Sequence, residues 1–316
     1  MKEKLEAKEK STPKVWAVGG GKGGVGKSII STLLALGLAR MGKRTILFDA
    51  DLGGANLHIL IGIKSPPRTL NDFITRKYKS LEDTCIDSDV ENLRLISGAS
   101  EILSMANPKF AQKMKIIQNV DTLDADNVVL DLGAGASFNT LDFFLAADRK
   151  IAVLAPQATS IQSAYAFVRN AVYRRLSQLS SSSSSLQELV QGAMNPKNEM
   201  NVRTIKDLFG VIQESFDKET VESLHEGIGK IRPAMITNMV KDARDKDMGG
   251  IIKTVAEKYL LIQAADLGGV VYDQQIEAMV SRMVPLTQLD QSSEAYAAVY
   301  EVASRLLRES NWNDGE

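Results

Sequence analysis

Short apolar runs recur along most of this chain, each closing on glycine, proline, asparagine or a carboxylate. The runs at 15–18 (Val-Trp-Ala-Val), 45–48 (Thr-Ile-Leu-Phe), 93–96 (Leu-Arg-Leu-Ile), 127–130 (Asn-Val-Val-Leu), 151–154 (Ile-Ala-Val-Leu), 234–237 (Ala-Met-Ile-Thr) and 269–272 (Gly-Val-Val-Tyr) predict seven strands. Helical stretches lie between them. One starts near Lys27, carries Ile29, Ile30, Leu33, Leu34, Leu36 and Leu38, and closes at 41–44 on glycine and cations, as helix C-termini prefer. Another starts near 292–294 and places Tyr296, Val299, Tyr300, Ala303, Leu306 and Leu307 in one apolar stripe, which predicts a core-packing helix. Short strands alternating with helices predict an α/β fold, a mainly parallel twisted sheet covered by helices on both faces.

In such sheets ligands sit beyond the carboxyl ends of the strands. The first strand ends in a glycine-rich loop, the second runs into Asp49 and the fourth into Asp131, so loop and acids share one edge. The loop, Gly21-Lys22-Gly23-Gly24-Val25-Gly26-Lys27-Ser28, fits G-x-x-x-x-G-K-[S/T] in full and lies between a strand and a helix, as that motif requires. Its glycines let successive N–H groups turn inward to phosphate oxygens, and the helix adds its positive end. Lys27 is expected along the β- and γ-phosphates and Ser28 as a Mg²⁺ ligand. The fold class is therefore a P-loop NTPase three-layer sandwich.

Asp131 is expected to hold the magnesium through water, and Gly135, four residues on, to offer its N–H to a γ-phosphate. Asp49 and Asp51 flank Ala50 after the second strand. Two carboxylates beside a triphosphate need a cation or a water, so Asp49 is assigned to the magnesium shell and Asp51 to polarising the attacking water. Lys22 is unusual, because the motif tolerates any residue there. Its cation has no obvious use in its own site and could reach the nucleotide of a second subunit.

Gly-Lys-Gly-Gly-Val-Gly-Lys-Ser with Asp-Ala-Asp-Leu-Gly at 49–53 resembles the MinD/ParA family of deviant Walker A ATPases. Within it, residues 51–56, 131–135 and 156–161, with Ala164, Tyr165, Tyr272, Asp273 and Pro285, resemble the MinD-like flagellar-number and placement regulators of the FlhG/FleN type. The likeness covers roughly residues 14–175 and 230–308. It implies that Lys22 reaches a partner's ATP across a homodimer holding two nucleotides, that hydrolysis releases the dimer, and that Asn238 contacts adenine. Val271 stands where many relatives have proline, and 1–14 lacks the Asp-Gln-Ala motif common in flagellar regulators.

Composition narrows the functions. The 44% apolar content supports a sizeable core, and 38 basic against 39 acidic residues excludes coating of nucleic acid by bulk charge. The single cysteine, Cys85, cannot alone supply the paired thiolates of a metal-cluster carrier. The two histidines show no ligand spacing. Residues 1–13 are expected to be a flexible leader rather than a secretory signal, 14–308 one ATPase domain with a partly helical insertion at about 177–230, and 309–316 an acidic tail unlike a membrane anchor. Within the insertion the serine run at 180–185 is expected to be a flexible loop. The expected function is a Mg²⁺-dependent ATPase that dimerises on ATP and sets the position or number of a cellular structure, with ATP and Mg²⁺ as cofactors and a protein activator or cargo as partner. The alternative is a partition ATPase whose ATP dimer binds DNA nonspecifically. The expected location is the cytoplasm, with peripheral attachment at the inner membrane or a cell pole as the variant implied by the resemblance.

Overall fold

A computed structural model describes residues 12–51, 54, 56–98, 110–195 and 200–308. The strands are β1 (Lys14–Gly19), β2 (Thr45–Ala50), β3 (Ile86–Asp87), β4 (Leu93–Ile96), β5 (Asn127–Leu132), β6 (Arg149–Leu154), β7 (Pro233–Val240) and β8 (Ala265–Val271). They form one sheet in the order β3-β4-β2-β5-β1-β6-β7-β8. Every pairing is parallel except that of the short edge strand β3 with β4. The helices are α1 (Lys27–Arg40), α2 (Leu57–Leu60), α3 (Leu70–Ile74), α4 (Phe110–Val120), α5 (Phe138–Ala146), α6 (Ala158–Leu179), α7 (Ser184–Ala193), α8 (Ile205–Ser215), α9 (Lys218–Gly229), α10 (Met248–Val255), α11 (Gln274–Ser281) and α12 (Glu294–Arg308).

Two cores follow from the alternation of side chains along each strand. Val15 and Ala17 of β1, with Ile46 and Phe48 of β2, face a layer that includes α5 and α6. Trp16, Val18 and Leu47 face the layer of α1 and α12. The central strands β2, β5 and β6 are buried throughout, which is why they read as unbroken apolar runs. The helix α1 is apolar on nearly every side because it is enclosed by the sheet and α12. The stripe of α12 packs as expected, with Tyr296, Val299, Ala303 and Leu306 buried and Tyr300 partly open.

Two expectations are corrected. The serine run is not a flexible loop: 180–182 forms a 3-10 turn with Ser180 buried, and Ser183 caps α7 by accepting from the Leu186 N–H. Serine suits both tasks, since its hydroxyl satisfies the free N–H groups at a helix start. Pro13, taken with the solvated leader, is buried; residues 1–11 and the tail 309–316 lie outside the described residues. The region at 177–230 adds α7, α8 and α9, whose Val190, Ile205, Ile212, Leu224 and Ile228 join the core on the α6 side of the sheet.

Candidate functional site

The glycine-rich loop leaves β1 at Gly19 and enters α1 at Lys27. Two positions require glycine. Gly26 has φ 87°, and a Cβ there would lie 2.1 Å from Nδ2 of Asn238. Gly21 passes so close to α6 that a Cβ would lie 1.9 Å from the Ser163 carbonyl oxygen. The loop is thus pressed between α6 and the end of β7.

Lys27 is mostly buried, and its Nζ donates to the Lys22 carbonyl at 3.2 Å. Burial lowers its pKa, partly offset by the fields of Asp131 and Asp51. Asp49 and Asp131 are register partners on β2 and β5, and both are buried. Burial raises the Asp131 carboxyl to about 6 against the Ser28 and Ser31 hydroxyls, which hydrogen-bond it, Ser31 at 2.9 Å. Asp49 is raised well above the ordinary carboxylate range, first by burial and then by Asp131. Its Oδ1 and Oδ2 accept from the N–H groups of Asp51 and Leu57.

Two neighbouring buried acids form a place where a cation is favoured. Among the described residues no group of three or more His, Cys, Asp or Glu side chains could cage a metal unaided. Magnesium needs none, since it keeps several waters and shares phosphate oxygens, so Ser28, Asp49 and Asp131 fit it.

Asp51 lies across the loop region, its Oδ1 3.0 Å from where a Cβ on Gly133 would stand. The Asp131–Gly135 segment therefore carries one acid on the strand and backs the other with its glycine. Gly135 has φ 86° and donates its N–H to the Gly20 carbonyl at 3.1 Å. Lys22 is exposed, and its Nζ donates to Oγ1 of Thr159 at 3.0 Å within the same chain. Asn238 is buried and donates Nδ2 to the Val25 carbonyl at 2.9 Å, so it clamps the loop. It also lines an apolar cleft of about 310 Å³ with Ile29, Leu33, Val270, Val271 and Tyr272. An amide beside apolar walls suits a planar base with polar edges.

Every site residue expected from the sequence thus lies at the loop or at adjoining strand ends. Thr159, Ser31 and the apolar cleft were not foreseen. Each depends on a contact across the fold; Ser31, four residues after Lys27, is signalled only by its helical spacing.

Cys85 is buried, and burial pushes its thiol up to about 12. No helix among the described residues is long and apolar enough to cross a membrane.

The chain is similar to several known proteins. The ParA family model, described as "NUBPL iron-transfer P-loop NTPase", matches residues 11–172. The antiactivator FleN of Pseudomonas aeruginosa is 38% identical over 157 residues, 49% of this chain and 55% of that protein. The uncharacterised ATP-binding protein MJ0547 of Methanocaldococcus jannaschii is 30% identical over 62% of this chain and 70% of its own length. The chain therefore spans little more than half of the first relative. Among solved structures, the septum site-determining protein MinD of Pyrococcus horikoshii, complexed with Mg-ADP, superposes with TM-score 0.63 at 16% identity, over 96% of this chain and 100% of that one. At that identity the likeness concerns the fold.

Proposed function

The chain belongs to the ParA family of P-loop NTPases, and we propose that it is a Mg²⁺-dependent ATPase whose ATP-bound form is a homodimer acting as a positioning or number-setting switch. The observation that carries this reading is the pair of lysines in one loop. Lys27 is buried beside the acids, while Lys22 stands exposed and is held by one hydroxyl. A lysine tethered by a single neutral hydrogen bond, worth about 0.5–1.5 kcal/mol net, is readily released to a phosphate on a second subunit.

In the nucleotide-bound chain Lys27 lies along the β- and γ-phosphates, and the loop N–H groups and the start of α1 take up the remaining charge. Asn238 keeps Gly26 in its left-handed turn and presents its amide to the base. Ser28, Asp131 and Asp49 would hold a magnesium ion, which neutralises charge on the phosphate oxygens. Asp51 accepts a hydrogen bond from the attacking water and orients it. The Gly135 N–H leaves the Gly20 carbonyl for the γ-phosphate, so the Asp131–Gly135 segment reports which nucleotide is bound. The output is then an assembled state rather than a product, with slow turnover stimulated by a protein partner.

Turnover in wild type and in Asp51→Ala tests the chemical part. Wild type is expected to hydrolyse ATP slowly, and the variant to bind ATP with turnover at least about a hundredfold lower, as loss of a general base implies. Equal turnover in both would remove Asp51 from the mechanism.

A further inference from the structure

A cavity of about 800 Å³ opens between α4, α5, α6, α7 and α9, sharing no residue with the nucleotide loop or the Asn238 cleft. Its charge is unbalanced. Lys150 lines it although only 7% exposed, and its Nζ donates to the Ala147 carbonyl at 2.5 Å. Burial, with Arg175 adding to it, lowers the Lys150 pKa to about 8 against the field of Asp148. Arg175 and Lys230 also line the cavity, and Arg175 Nε donates to the Gly227 carbonyl. Among the described residues no ion pair is formed by Lys150, Arg175 or Lys230. Among the described residues the one carboxylate lining the cavity, Asp142, is already shared by Lys113 and Arg174.

Part of the lining is apolar and open, with Lys113 over the Phe110 ring and Arg174 over the Phe138 ring. Phe110 is 66% exposed and Phe138 61%, with Met114 beside them. A buried cation beside further positive charge, offset only in part by the field of Asp148, is costly unless an anion meets it. The volume is that of a small-molecule site, apolar with a few convergent polar groups.

We propose that this cavity binds a small amphipathic anion, its carboxylate or phosphate head on Lys150, Arg175 and Lys230 and its apolar body against Phe110, Met114 and Phe138. The wall α5 follows the Asp131–Gly135 segment, and α6, which lines the cavity at 174–178, carries Thr159 at its other end. The proposal does not depend on the ATPase reading.

Displacement of the fluorescent anion anilinonaphthalene sulfonate from the 316-residue chain, without nucleotide, tests it. Decanoate and decyl phosphate are expected to displace the probe saturably, and the stronger of the two identifies the head group. Lys150→Met and Lys230→Gln are expected to weaken both anions about tenfold, or ~1.4 kcal/mol, and to leave neutral decanol unchanged. Met at 150 keeps the volume while removing a buried charge, and position 230 is exposed, so the two substitutions fail independently. Absence of saturable displacement from wild type, or anion affinities unchanged in both variants when each is folded by circular dichroism, would overturn the proposal.

Discussion

The helix that follows the Asp131–Gly135 segment is pinned by one carboxylate, and Asp142→Asn should loosen it by a calculable amount. Asp142 on α5 is 6% exposed and its partner Lys113 on α4 is 3% exposed. Lys113 Nζ pairs with Oδ2; Arg174 of α6 donates Nε to Oδ1 at 2.7 Å and Nη2 to Oδ2 at 2.9 Å; Gln178 donates to Oδ1 at 2.9 Å. The substitution leaves Lys113 as a buried cation without its counter-charge, which costs about 3–5 kcal/mol. Unfolding entropy for 316 residues is about 0.7 kcal/mol/K, so the Tm should fall by about 4–7 °C. Asp142→Asn combined with Lys113→Met removes both buried charges and should recover most of the loss.

The same carboxyl has a pH signature. Burial alone would raise its pKa, but the Arg174 and Lys113 partners outweigh burial and hold it below the ordinary value. Its contribution is therefore complete above the unfolded value of about 4 and is lost as pH falls through the lower folded value. Wild type should lose its advantage over Asp142→Asn only below about pH 4. Thermal melts by circular dichroism at pH 7 and across the acid range measure both effects. A single-variant shift under about 1 °C, against the ~5 °C worked above, or a double variant no more stable than the single, would refute the reasoning.

Gly26→Ala should weaken ATP binding at least tenfold by fluorescent-analogue titration, since its Cβ would lie 2.1 Å from the Asn238 amide at φ 87°. The left-handed conformation adds strain of about 1–2 kcal/mol, and unchanged affinity would show that the clamp is not needed. Cys85, with its thiol pushed up to about 12 by burial, should stay unmodified by an aromatic disulfide reagent at pH 8 until the protein is unfolded. Rapid native labelling would contradict the buried placement.

Legibility of the fold varied with how local each cause is. The apolar runs marked seven of the eight described strands, most plainly β2, β5 and β6, because strands buried on both faces leave continuous apolar sequence. The missing strand, Ile86–Asp87, has two residues and exists only through its antiparallel contact with β4. The serine run misled for a related reason. Its composition favours a loop, but its hydroxyls cap helices whose positions depend on packing against α6. The helix α9 was not foreseen, although Asp217 caps it by accepting from the Thr220 N–H.

At the site, residues serving the phosphates were legible because backbone cradle, lysine and hydroxyl must follow one another in sequence. Asp49 and Asp131 were legible as strand ends, and register then placed them side by side. Asn238 was expected to face a base, and its donation to the Val25 carbonyl adds a second task that spacing could not disclose. The Thr159 tether on Lys22 spans 137 positions. The Lys113–Asp142–Arg174 cluster joins three helices, each bearing an unremarkable polar residue when taken alone.

The most direct test of the central claim is molar mass in solution by light scattering, measured for wild type with ATP, wild type with ADP, and Lys22→Ala with ATP, each in magnesium. The account predicts a dimer only for wild type with ATP, and a Lys22→Ala chain that still binds ATP yet stays monomeric. A wild type that remains monomeric at saturating ATP with hydrolysis blocked, or a Lys22→Ala variant that dimerises equally well, would contradict it.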